Sequence, residues 1–109
     1  MSEIQGRVRV PRVVRRGENI EIKTTINHPM ENGRNKDKDG KIIDIKYIKD
    51  FKCFYNDKEI FRSEWHPSIS ANPFLSFFIR ARESGNISFE WIENTGKVFK
   101  KSAEIIVES

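Results

Sequence analysis

Hydrophobic residues in this chain recur at every second position through most of its length. That alternation is the signature of β-strands with one buried face and one wet face. Ile4 to Val10 sets Val8 and Val10 against Arg7 and Arg9, and Pro11 closes the run because it has no N–H for a ladder. After a turn at Gly17, Asn19 to Ile26 places Ile20, Ile22, Thr24 and Ile26 opposite Glu21, Lys23 and Thr25. Ile45 to Tyr55 carries Phe51, Cys53 and Tyr55 on one face, and Asn56-Asp57 turns the chain into Glu59 to Trp65. Phe74 to Ala81 predicts a further strand, and Asn86 to Glu93 sends Ile87, Phe89 and Trp91 inward. Asn94-Thr95-Gly96 is a hairpin turn into Lys97 to Val107, which aligns Phe99, Ala103, Ile105 and Val107. No segment of ten or more residues shows an apolar 3.6 repeat. The prediction is an antiparallel all-β sandwich of about seven strands.

Two stretches break the alternation. Residues 27–41 are polar, contain two glycines and make a loop long enough to suggest function. Trp65 to Phe78 is aromatic and Pro-punctuated, and Phe74, Leu75, Phe77, Phe78 and Ile79 make its strand apolar on both faces. Either that strand lies in the middle of the core or its outer face meets another protein.

Composition narrows the possibilities. The 109 residues suit a single domain spanning 1–109. No apolar run approaches the roughly 20 residues of a membrane span. The N-terminal MSEIQGRVRVP lacks the apolar core of a signal peptide, which suggests the cytoplasm or export in company with a partner that carries a signal. The one cysteine, Cys53, permits neither an intrachain disulfide nor a thiolate metal cluster. It alternates with Phe51 and Tyr55 and has no adjacent base, so it reads as a buried, inert thiol. The net charge is +4, with basic residues at Arg7, Arg9, Arg12, Arg15 and Arg16 and again at Arg34, Lys36, Lys38 and Lys41. Interleaved acids and the lack of an aromatic stacking motif favour a solvated surface. The alternative is a stand-alone β-sandwich binding module whose basic pole binds nucleic acid or an acidic protein.

Candidate chemistry is sparse. Asn35-Lys36-Asp37-Lys38-Asp39-Gly40 matches the first half of a calcium-binding EF-hand loop, but the position of the closing glutamate holds Lys46. It is expected to be a charged turn. His28 and His66 each precede a proline at a strand end, and nothing in their spacing makes them converge, so both are expected at the surface or in turns.

Several ordered motifs resemble a known family. They are Arg-Val-x-Val-Pro at 7–11, Gly17-Glu18 through Ile22-Lys23-Thr24, and His28-Pro29-Met30-Glu31-x-Gly33. Asp37, Gly40, Ile43, Phe51-x-Cys53 and the stretch Asn56 to Phe61 follow, and then Ser70-Ala71-Asn72-Pro73 with Leu75-Ser76-Phe77. Over nearly its whole length the chain resembles the SoxZ family, subunits of the SoxYZ sulfur carrier of bacterial thiosulfate oxidation. It departs at Asp44-Ile45, where the family often has Pro-Arg. The resemblance implies an immunoglobulin-like sandwich and a heterodimer with SoxY, which bears the reactive cysteine on a glycine-rich arm. The arm's Gly-Gly-Cys-Gly-Gly does not occur in this sequence. The implied role is therefore that of the non-catalytic subunit, with no cofactor, no metal, no nucleic acid and no membrane. It would touch other Sox enzymes transiently and act in the periplasm after co-export on the signal of SoxY. The candidate partner contacts are His28, Pro29 and Met30 at the start of the long loop, with Asn72, Pro73, Phe74 and Phe78 around the doubly apolar strand.

Overall fold

Placed on the computed structural model, which describes residues 3–109, the inward positions of the predicted strands meet in one shared core. The strands are β1 (Gly6–Arg9), β2 (Val13–Arg15), β3 (Asn19–Ile26), β4 (Ile48–Tyr55), β5 (Lys58–Glu64), β6 (Phe74–Arg80), β7 (Gly85–Glu93) and β8 (Val98–Glu108). They form a three-stranded sheet ordered β1-β3-β6 and a five-stranded sheet ordered β2-β8-β7-β4-β5. The expected all-β sandwich is what forms.

Two details correct the expectation. Among the described residues there are eight strands rather than about seven, because Val13–Arg15 makes a short strand of its own. It is also not antiparallel: β2 runs parallel to β8, with Val13 opposite Ile106 and Arg15 opposite Glu108. The alternation begins too late to signal it, since only three residues follow the proline and arginine at 11 and 12. In addition, β4 starts at Ile48, and exposed Ile45 lies in the loop before it.

The core is aromatic at its centre. Phe51 of β4 is fully buried and stands 5.5–6.2 Å, centroid to centroid, from Phe61, Trp65, Phe77, Phe89 and Trp91. The Phe61 and Phe77 rings stack at 4.4 Å and join β5 of one sheet to β6 of the other. Such offset and edge-to-face arrangements suit the ring quadrupoles.

At the opposite edge of the small sheet, Gly6 sits on the inward phase of β1, opposite Ile26. A Cβ there would lie only 2.3–2.9 Å from Cζ3, Cη2 and Cε3 of the Trp91 indole, so the ring or the strand would have to shift. In an open strand, alanine outperforms glycine, but here overpacking dominates. Gly6→Ala is expected to cost about 1–3 kcal/mol. The check is a thermal melt, and an unchanged or higher midpoint would show that the indole can slide aside.

The long loop between β3 and β4 is ordered by its own hydrogen bonds. Bridges pair Glu31 with Lys46 and Lys36 with Ile42, giving it the form of a hairpin. Residues 34–42 are all exposed. The molecule as a whole is elongated, 59 × 24 × 19 Å.

A candidate partner-docking surface

The period-two logic of β6 sends Leu75, Phe77 and Ile79 toward the core and Phe74, Ser76 and Phe78 to the outer face. Phe74 is 63% exposed and Phe78 is 68% exposed. Of the two readings left open by the sequence, the middle of the core is thus excluded, and the outer face of β6 is bare in the isolated chain. Register places Thr25 beside Phe74, Lys23 beside Ser76 and Glu21 beside Phe78, with Arg7 and Arg9 on β1 beyond them. The face is therefore aromatic along one edge and cationic along the other. Isolated exposed apolar residues are ordinary; two phenylalanines in phase on one strand make this face the candidate docking surface.

The strand is aimed by the segment before it. Pro73 is buried and its carbonyl accepts the Ile26 N–H at 3.3 Å. Asn72 holds a left-handed φ of 53°, and its N–H donates to the His28 carbonyl at 2.8 Å.

His28 does not lie at the surface, as its position at a strand end suggested; it is fully buried. Its Nδ1 accepts the Met30 N–H at 2.9 Å, so the ring proton resides on Nε2, which lies 2.6 Å from Glu93 Oε2 and donates to it. Thr95 Oγ1 donates to the other carboxylate oxygen, Oε1. Burial pushes the Glu93 pKa up, but the Thr95 and His28 hydrogen bonds and the nearby positive charge outweigh it, and the net direction is downward. Met30, buried with φ 52°, accepts the Ile48 N–H on its sulfur at 3.3 Å. This latch ties the start of the long loop to the β7–β8 hairpin. His28 and Met30 are thus interior residues that shape the surface, whereas Pro29 is exposed beside them. His66 is exposed and takes no part.

Phe78 also borders a groove of about 520 Å³ where the β5 and β6 edges face each other. Ile60 lines one wall, and Tyr55 closes the end. The Tyr55 hydroxyl accepts the N–H groups of Arg82 and Glu83 at 3.1 and 3.0 Å, fixing the β6–β7 turn.

Cys53 and the EF-hand-like stretch resolve as expected from their sequence context. Cys53 is fully buried and desolvation pushes its thiol up to about 12, so it is not a nucleophile at neutral pH. In the EF-hand-like stretch, Asp37 Oδ1 accepts the backbone N–H groups of Asp39 and Lys41, at 2.9 and 3.0 Å, and shapes a local turn. Among the described residues no group of three or more His, Cys, Asp or Glu side chains is placed to hold a metal ion. The arginines at 7, 9, 12, 15 and 16 are exposed along β1 and β2.

Comparison with solved structures finds the same fold elsewhere. A superoxide reductase (neelaredoxin) from Ignicoccus hospitalis matches with a TM-score of 0.76 at 16% identity, over 95% of this chain and 80% of that one. A putative superoxide reductase from Thermotoga maritima matches at 0.72 and 18%, over 95% and 86%. A CARDB domain from Pyrococcus furiosus, solved with di-metal ions, matches at 0.52 and 10%, over 97% and 94%. At such identities the likeness is one of fold alone. No curated protein matches the chain. The model of the family described as "Sulphur oxidation protein SoxZ" matches residues 8–104. That span holds both the His28 latch and the exposed face of β6, and the chain belongs to the SoxZ family of sulphur oxidation proteins.

Proposed function

We propose that this chain is the non-catalytic subunit of a sulfur carrier and that it pairs with SoxY, whose arm bears the sulfur-carrying cysteine. The reading is supported chiefly by the outer face of β6, where Phe74 and Phe78 stand in phase with nothing over them. The chemistry of the interior agrees with it. The thiol of Cys53 is desolvated and sealed in the core, so reactive sulfur has to ride on another chain. The subunit acts by association: it holds SoxY and helps present the arm to the enzymes that load, oxidise and release sulfur in thiosulfate oxidation, meeting those enzymes transiently. It works in the periplasm, exported together with SoxY.

Burying a phenylalanine is worth about 1.5–3 kcal/mol, so charging one should be decisive for a face that depends on two. Phe78→Asp is expected to abolish co-purification with SoxY. Because Phe78 is exposed in the free chain, the melting temperature of the variant should stay within a few degrees of the parent. A folded variant that still co-purifies would remove β6 from the interface.

A further inference from the structure

The two sheets present four edge strands, and three of them are guarded. β1 has four residues and carries Arg7 and Arg9; β2 has three residues. β5 is studded with Lys58, Glu59, Arg62 and Glu64, and its pairing with β4 slips register between Cys53 and Phe54. Short length, charge and irregularity are the devices that keep a sheet edge from adding a foreign strand. β6 has none of them. It runs seven residues with no register shift against β3, no proline inside it and no charge before Arg80.

The direction of its free hydrogen-bonding groups follows from the ladder. Ile26 N–H donates to the Pro73 carbonyl and Ala81 N–H to the Glu18 carbonyl, so Pro73 and Ala81 turn their backbone groups toward β3. Antiparallel pairs alternate between bonded and non-bonded positions, so Leu75, Phe77 and Ile79 also face β3. Phe74, Ser76 and Phe78 point their N–H and C=O groups out of the sheet.

We propose that the partner docks by adding an extended, acidic strand to this edge, making the three-stranded sheet four-stranded. The inference rests on the carrier reading above and specifies how SoxY would be held. Main-chain bonds to Phe74, Ser76 and Phe78 supply the register, and alternate apolar side chains of the incoming strand cover the two rings. Charge selects the occupant. The strands of this sheet set Arg7, Arg9, Lys23 and Arg80 on its outer face against the carboxylate of Glu21, with Glu3 just beyond β1. A second copy could pair about a two-fold axis at Ser76, with Phe74 opposite Phe78, but it would bring two chains of net charge +4 and two such cationic faces together. An acidic strand meets complementary charge instead.

Residue-resolved amide exchange on the intact chain, with and without the SoxY protein, tests the idea. On binding, the amides of Phe74, Ser76 and Phe78 should slow at least tenfold, while those of Leu75, Phe77 and Ile79 are protected beforehand. Ser76→Pro deletes one outward N–H without touching the β3 ladder, and should weaken binding at least tenfold with the fold intact. Tight SoxY binding that leaves those three amides open overturns strand addition and leaves the carrier reading standing. Absence of SoxY binding by the parent chain overturns both. Protection that grows with the concentration of this chain alone identifies a second copy and overturns the acidic partner strand.

Discussion

Truncating Phe51 to alanine is expected to lower the unfolding free energy by about 3–5 kcal/mol. Single domains are held by about 5–15 kcal/mol in all, so this one change removes a large share of the margin. The cost is high because Phe51 packs against five other aromatic rings drawn from β5, β6, β7 and the segment after β5. The cavity would be walled by both sheets, which are held apart by their own ladders and cannot collapse into it. A thermal midpoint lower by about 10–20 °C is the expected reading for a chain of this size. A shift of only a few degrees would mean that the stacked Phe61–Phe77 pair, not Phe51, carries the contact between the sheets.

The second large effect is expected at His28. His28→Ala leaves the Glu93 carboxylate with only its Thr95 bond and strands the Met30 N–H in the interior, at a cost of about 3 kcal/mol at neutral pH. The pH dependence distinguishes this from a simple cavity. In the parent, Glu93 has a folded pKa below its ordinary value. It therefore binds protons more weakly folded than unfolded, so its contribution is present above the unfolded pKa and is lost as pH falls through the folded one. In the variant the His28 bond is gone and burial pushes the carboxyl up. A neutral carboxyl costs less to bury, so the gap between parent and variant should close as pH falls. Denaturant midpoints measured from neutral pH into the acid range would show it, and a gap that stays constant would refute the role assigned to the pair.

Most of the fold was legible in the alternation, because each strand buries one face and the phase of Ile20, Ile22 and Ile26, or of Ile87, Phe89 and Trp91, admits one register. The same phase held a signal that strand-end reasoning passed over. Counting on by two from Ile26 reaches His28 and Met30, and counting on from Trp91 reaches Glu93. A histidine and a glutamate, each in step with a buried series, are candidates for one another in a core that tolerates polar groups only in pairs. The reading of Phe74 and Phe78 was half legible: a strand apolar on both sides must be covered twice, but only the packing of the two sheets, which turns Leu75, Phe77 and Ile79 inward, shows which side is bare. β2 was not legible, since three residues carry too little periodicity and their pairing depends on a strand far along the chain.

That pairing has a kinetic side. β2 forms its ladder only with β8, Val13 meeting Ile106, so one of the earliest segments must wait for one of the last before it has a place to bond. Closing so wide a loop is entropically slow, and folds dominated by such distant pairings reach the native state in milliseconds to seconds rather than microseconds. β3 and β6 can meet before β8 arrives, and β6 would then show its unguarded edge on a half-finished molecule. If the proposed partner strand adds to that edge, early pairing would hide it from misassembly while β2 and β8 find each other.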